Sequence, residues 1–237
     1  MKLKVMTYNI FSGRTLDGSY DLEGKIETIR EVNPDILGLN EVHLNTRHSN
    51  FTSQTDTLGD ALDMPHRFFA RAIDHNGGQY GIALLSRYPI LSCECVPIPD
   101  SYDEQGNHPE SRVHICATID VNGKTIQVLT SHYGLSQAEQ EHAVAETLRL
   151  KDASLPTIFM GDLNAQDTDA VMAPLFANFQ DAACSLTGPD KLTFRSDKPT
   201  IRIDYIFHTP EFMVENVKVL PSTASDHRPV FAELEVN

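Results

Sequence analysis

The sequence predicts a layered fold of the α/β or α+β class. Two observations carry that reading. Apolar runs of strand length recur along the chain and are broken by a few longer stretches with helical spacing, which is the make-up of sheets covered by helices. One Asn-Gly pair joins two strand-like runs, so at least part of the sheet is antiparallel.

Taken in order, Leu3–Asn9 reads as a strand. Leu22, Ile26, Ile29 and Val32 then share one helical face, with Asp21 placed as N-cap and Pro34 beyond the end. Ile36–Leu39 is an apolar strand, 45–56 a polar loop, and Thr55–Leu62 a short helix. Arg67–Ile73 and Ile82–Ser86 are strand-like, with a loop at His75–Tyr80 between them. Cys93 and Cys95 flank Glu94 in a further strand-like stretch, and Asp100–Glu110 reads as an exposed loop. Val113, Ile115, Ala117 and Ile119 alternate with Arg112, His114, Cys116 and Thr118, a period of two that gives a strand with two distinct faces. Asn122-Gly123 turns that strand into Thr125–Ser131. Ser136 and Glu139 form a capping-box pattern at the head of a helix reaching Asp152. Thr157–Met160 is a strand, and 170–176 adds a turn or two of helix. Ile203–His208, Val214–Leu220 and Val230–Val236 are the last strands. No linker, repeat or low-complexity segment divides residues 1–237, which are read as a single domain.

Composition narrows the function. The formal net charge of −14 lacks a basic nucleic-acid footprint, and no Lys/Arg run offsets it. No secretory leader is seen and no apolar stretch has the length of a membrane span. Cys93, Cys95, Cys116 and Cys184 do not complete a zinc site and are read as reduced packing thiols of a cytoplasmic protein.

Polar motifs follow many of the apolar runs. Glu41 follows Ile36-Leu37-Gly38-Leu39, where a carboxylate at the end of a buried strand either meets a cation or is solvated just past the strand. Asn9 offers an amide oxygen to the same metal or an amide donor to a phosphate, or it caps a turn. Asp162 and Asn164, two apart on an extended backbone, share a face. Asp162 could activate a water and Asn164 hold a phosphate oxygen, or both could form a turn. Asp226-His227 precedes Pro229: the histidine could touch phosphate and the aspartate could reach the metal or a ring nitrogen, or the pair belongs to a polar loop. Asp204 lies inside an apolar strand and needs a partner, for which a histidine is well suited. His132 ends a strand and is either a phosphate donor or a structural histidine. Loop residues His48 and His75 are substrate contacts at most.

In this order, from Thr7-Tyr8-Asn9 through Asn40-Glu41, Ser131-His132, Gly161-Asp162-Leu163-Asn164 and Ile203-Asp204-Tyr205-Ile206 to Ser225-Asp226-His227-Arg228-Pro229, the motifs resemble those of the endonuclease/exonuclease/phosphatase superfamily over nearly the whole chain. The resemblance implies a four-layer sandwich of two stacked mixed β-sheets flanked by helices. It implies a site at one end of the sandwich and Mg²⁺ as cofactor, with Mn²⁺ as substitute. By the same resemblance Asn9 and Glu41 sit by the metal with Asp226 near, and Asp162 positions or deprotonates water. Asn164 and His132 serve the phosphoryl oxygens, and His227, buttressed by Asp204, contacts the scissile phosphate. Arg112 matches a basic position that some members use on phosphate, and reads equally as a solvent-facing strand arginine.

Two positions depart from the abasic-site nucleases: Phe11 stands where they have an acidic residue, and His132 where they tend to have tyrosine. The expectation is therefore a Mg²⁺-dependent phosphoesterase acting on a small or flexible phosphate ester, with duplex DNA disfavoured and no obligate protein partner implied. The alternatives are a nuclease on single strands and a non-catalytic binding module on the same fold.

Overall fold

The structure, a computed structural model, describes residues 2–102 and 110–236. Its strands and helices are, in chain order, β1 (Lys2–Asn9), α1 (Leu22–Arg30), β2 (Ile36–Leu44), α2 (Gln54–Ala61), β3 (His66–His75), β4 (Gly78–Ser86), β5 (Ile90–Pro97), β6 (Val113–Val121), β7 (Lys124–His132), α3 (Gln137–Leu150), β8 (Thr157–Asp162), α4 (Ala173–Asn178), β9 (Gln180–Asp181), β10 (Asp204–His208), β11 (Phe212–Val219) and β12 (Val230–Val236). Two six-stranded sheets form, with strand orders β11-β12-β1-β2-β4-β3 and β5-β6-β7-β8-β10-β9. Both are mixed. β1 runs parallel to β2 and β7 parallel to β8, while the other neighbours are antiparallel.

The pleat sorts side chains into layers. In β1, Leu3 and Val5 join Leu84 and Leu234 of their own sheet and Ile115, Val128, Ile158 and Ile206 of the other in a core between the sheets. Met6 and Tyr8 point the other way and pack with Leu22, Ile26 and Ile29 of α1 and Leu58 of α2. On the second sheet, Leu129, Phe159 and Phe207 face Ala143 and Val144 of α3 and Leu175 of α4. The result is a helix–sheet–sheet–helix sandwich, the four layers expected from the sequence. Each fully buried Leu, Ile or Phe contributes roughly 1.5–3 kcal/mol, so these three clusters dominate the fold.

Local signals mostly act as read. Asp21 caps α1 through Gly24 N–H at 3.0 Å. Ser136 and Glu139 form the capping box of α3. Asn122 and Gly123 turn β6 into β7 with φ of 55° and 88°.

Three readings are revised, and a fourth lies largely outside the described residues. The β2 strand does not stop at Leu39 but runs to Leu44, with a bulge between Leu39 and Val42. His75–Tyr80 is the tip of a hairpin between β3 and β4 rather than a free loop. The polar segment 45–56 passes into α2 at Gln54. Of the loop Asp100–Glu110, residues 103–109 lie outside the described residues.

Candidate active site

The bulge in β2 creates the first wall of the site. Between the pairs Leu39↔Ala83 and Val42↔Gly81, Asn40 and Glu41 together oppose Ile82, and Glu41 adopts a positive φ of 57°. A bulge inserts a residue, bends the strand and re-aims its side chains. Here it lets two successive polar residues do different work. Asn40 turns into the sandwich, where its Nδ2 donates to the Ser131 carbonyl at 2.8 Å and its Oδ1 accepts from Asp162 N–H at 3.1 Å. Glu41 turns to the rim, where it accepts from Asn9 Nδ2 at 3.1 Å. The sheets approach closely at this level: a Cβ on Gly38 would lie 2.8 Å from Thr130 Oγ1.

The second wall is a line of side chains across the other sheet. His132 on β7 pairs in register with Asp162 on β8, and Asp162 pairs with Asp204 on β10. Gly161 makes this line-up sterically feasible, because a Cβ there would fall 1.9 Å from the Ser131 carbonyl oxygen. His227 arrives from the segment before β12 and closes the site. Its Nδ1 is 2.9 Å from Asp204 Oδ2, and its Nε2 is 3.5 Å from Asp162 Oδ2. Asn9 Nδ2 also reaches Asp162 Oδ2 at 3.0 Å, and Ser225 Oγ donates to the Asn9 carbonyl at 2.8 Å.

Asp162, Asp204, His227, His132 and Asn9 are all buried, whereas Glu41, Asn164, Asp226 and Arg112 are half-buried at the rim. Burial sets the electrostatics. Desolvation pushes Glu41 up to about 7, with Asp226 and Asp162 adding to the rise and the Asn9 hydrogen bond opposing it. Burial likewise lifts Asp162 to about 6 against the pull of His227, and it raises Asp226. Burial works against a charge on His227, but Asp204, Asp162 and Asp226 outweigh it and raise the imidazole to about 10. His132 goes the other way: burial first, then the Arg112 and His227 charges, push it well below its usual value. Arg112 Nη1 sits 2.9 Å from His132 Nδ1. An arginine can only donate, so the His132 proton resides on Nε2, which lies 3.5 Å from Asp162 Oδ2.

The comparisons with known proteins bear on the whole constellation. The endonuclease/exonuclease/phosphatase family model matches residues 6–227. The chain belongs to that family. An endonuclease/exonuclease/phosphatase of Beutenbergia cavernae superposes with a TM-score of 0.86 at 26% identity, covering 100% of this chain and 72% of the other. A mannosyl-6-phosphatase of Bacteroides thetaiotaomicron shares the fold, with a TM-score of 0.78 at 19% identity over 98% of this chain and 99% of that one. The protein cwh43 of Schizosaccharomyces pombe is 28% identical over 146 residues, which are 60% of this chain but 14% of that much longer protein. Members of the family are hydrolases of phosphoester bonds.

Within this family member every site residue expected from sequence reaches the same end of the sandwich, with three refinements. Asn9 Oδ1 accepts from Phe11 N–H at 3.0 Å, so its amide presents the NH₂ group to the site. Asn164, with φ of 48°, donates from Nδ2 to the Tyr133 carbonyl at 3.0 Å, which leaves the second amide hydrogen for another acceptor. Arg112 is no solvent-facing strand residue: it lies just ahead of β6, held between Glu110 at 2.7 Å and His132. Sequence reasoning assigned no role to Asn40, although two adjacent polar residues after an apolar run hint at a bulge. It also passed over Tyr80, whose phenol burial holds well above its usual pKa beside Glu41, Glu110 and Arg112. No local signal marks that tyrosine.

The residues present suit a hard divalent cation. Glu41 and Asp226 are carboxylates that burial raises, with repulsion from Asp226 adding to the rise at Glu41 and repulsion from Asp204 at Asp226, a condition that a cation relieves. No cysteine of the chain belongs to the site. Asp162, Asp204 and His227 also bring one ligand atom each to within 4.8 Å of one another. That trio is already knit together by the imidazole of His227.

Proposed function

We propose that the protein is a Mg²⁺-dependent phosphohydrolase that cleaves a small or flexible phosphate ester by attack of a water activated at Asp162. The observation that carries this reading is the placement of Asp162 Oδ2 at the meeting point of Asn9 Nδ2, His132 Nε2 and His227 Nε2, at 3.0, 3.5 and 3.5 Å. A buried carboxylate lifted to about 6 is a competent base near neutral pH.

Glu41 and Asp226 would hold the cation, with Asn9 fixing the Glu41 carboxylate. When bound there, the cation supplies neutralisation of phosphate charge. Asp162 accepts the proton of the water as its oxygen attacks phosphorus, the bond from phosphorus to the leaving oxygen breaks, and that oxygen takes a proton from solvent to leave as the alcohol. Charge that develops on the phosphoryl oxygens meets the Nε2–H of His132, the Nε2–H of a cationic His227 and the free amide hydrogen of Asn164. Asp204 keeps His227 charged and oriented through Nδ1. A cytoplasmic setting, with all four cysteines as thiols, goes with this reading.

A panel of 4-nitrophenyl phosphate, bis(4-nitrophenyl) phosphate, single-stranded DNA and abasic duplex DNA, each with Mg²⁺ or Mn²⁺, tests it. Turnover of a small ester without incision of the duplex is expected. Efficient cleavage of the abasic duplex would replace this reading with a repair nuclease.

A further inference from the structure

The candidate active site leaves one neighbouring cluster unused. His43 on β2, His48 in the following turn and His75 at the end of β3 converge, with ring centroids 5.9 Å apart for His43–His48, 5.4 Å for His43–His75 and 6.1 Å for His48–His75. Arg14 joins them, its Nη2 2.9 Å from His48 Nδ1. Among the described residues His48 is the side-chain partner of the Arg14 guanidinium, and no carboxylate neutralises it. Because arginine only donates, His48 Nδ1 accepts and its ring N–H is on Nε2, on a side chain open to solvent.

The cluster is pinned, not a chance meeting of loops. Gln54 donates to the Ser12 carbonyl at 2.8 Å and accepts from His43 N–H at 2.7 Å, which ties the Arg14 segment to β2. Thr46 Oγ1 holds His43 Nδ1 at 2.8 Å. Arg47 N–H donates to the Asn76 carbonyl at 3.1 Å, which ties the turn to the hairpin tip beside His75. Asn45 and Asn76 take positive φ of 57° and 48° to make these joins.

Its chemistry runs against the composition of the chain. In a protein of net charge −14, an unneutralised guanidinium and several imidazoles gather at one spot. A metal site is a poor fit, since Arg14 repels a cation. Among the described residues, moreover, the acid/histidine group whose ligand atoms close to within 4.8 Å is Asp162-Asp204-His227, not this one. An anion fits. The cluster is also adjacent to the catalytic end. Tyr80 stands 5.7 Å from His43 and 6.0 Å from His75, and its phenol also interacts with Glu41 and Arg112. One tyrosine therefore touches both groups.

We propose that Arg14, His48 and His75 bind a second anionic group of the substrate, so that the preferred phosphoester carries a phosphate or carboxylate on its leaving group besides the scissile phosphate. The inference rests on the phosphohydrolase reading of the Asp162 site for its catalytic meaning, but the binding it requires does not.

The test is calorimetric titration of the full chain in Mg²⁺ buffer with propylphosphonate, propane-1,3-bisphosphonate and 3-phosphonopropanoate. The bisphosphonate, the phosphonocarboxylate or both are expected to bind about tenfold or more tightly than the monophosphonate, because a charge-assisted contact to Arg14 is added. Which of them gains tells phosphate from carboxylate recognition. Arg14→Gln and the exposed His48→Glu, each with folding checked, are expected to bring the ratio close to one. No preference in the unaltered protein, or a preference kept in both variants, overturns the proposal. Turnover of propane-1,3-diol monophosphate and bisphosphate separates the two claims. Hydrolysis without preference removes the subsite, whereas binding preference without hydrolysis of either removes the phosphohydrolase reading and keeps the subsite.

Discussion

Asp204 and Asp162 stand opposite each other on neighbouring antiparallel strands, both buried, and the imidazole of His227 lies between them. Two buried carboxylates side by side repel, and a cationic imidazole bridging them relieves both. Among the described residues Asp204 Oδ1 has no hydrogen-bond partner, so the side-chain pairing of this residue rests on the contact of Oδ2 with His227.

That dependence predicts strong coupling. Asp204→Asn and His227→Ala are each expected to lower kcat/KM by about 10²-fold or more, with the double variant within about tenfold of the worse single one. A double-mutant cycle on kcat/KM, with folding checked for every variant, measures this. Losses that simply multiply would make Asp204 a structural aspartate with no share in His227 function.

Asp162→Asn keeps the shape of the side chain and its bond from Asn164 N–H, which reaches Oδ1 at 3.0 Å. It removes the group that takes the proton. The expected fall in kcat is about 10²–10⁴-fold in a variant that still folds but is less stable, because its amide NH₂ faces the donors that Oδ2 accepts from. Near-normal kcat in Asp162→Asn would place the base elsewhere.

His114, on β6, predicts the acid limb of stability. It is fully buried beneath α3, edge-on to Tyr133, and burial pushes it down from 6.5 to about 4. Above pH 6.5 the ring is neutral in both folded and unfolded chains and contributes no pH dependence. As pH falls from 6.5 to about 4 the unfolded chain takes up a proton that the folded chain refuses, so stability drops, by roughly 3 kcal/mol in full. Denaturant titrations of His114→Phe over that window are expected to show a shallower loss than the unaltered protein. An unchanged slope would mean that this histidine does not govern the acid limb.

Individual elements were legible in the sequence because they rest on local chemistry, while the four layers and the grouping of the motifs into one site came from the family resemblance. Alternation in 113–120 gave β6, Asn122-Gly123 gave its turn, Ser136 and Glu139 gave the head of α3, and carboxylates after apolar runs pointed to a rim. What stayed hidden depends on register between distant strands. The β2 bulge arises from pairing with β4, and nothing within Ile36–Leu44 announces that Asn40 reaches Ser131 on the other sheet while Glu41 turns outward. Arg112 was ambiguous for the same reason. Its partner His132 is set by the meeting of β6 and β7, which an isolated strand pattern does not reveal. The Arg14 and histidine cluster draws on three separated segments, so no contiguous motif encodes it.

In the mechanism we propose, Glu41 and Asp226 hold a divalent cation without which Asp162 cannot drive hydrolysis. The most direct measurement is the rate of phosphoester hydrolysis by the unaltered protein after exhaustive chelation, followed by addition of Mg²⁺, with Glu41→Ala run in parallel. Hydrolysis is expected to vanish in chelator, to return with Mg²⁺, and to need far higher Mg²⁺ in Glu41→Ala. Full turnover in the presence of chelator would contradict the account.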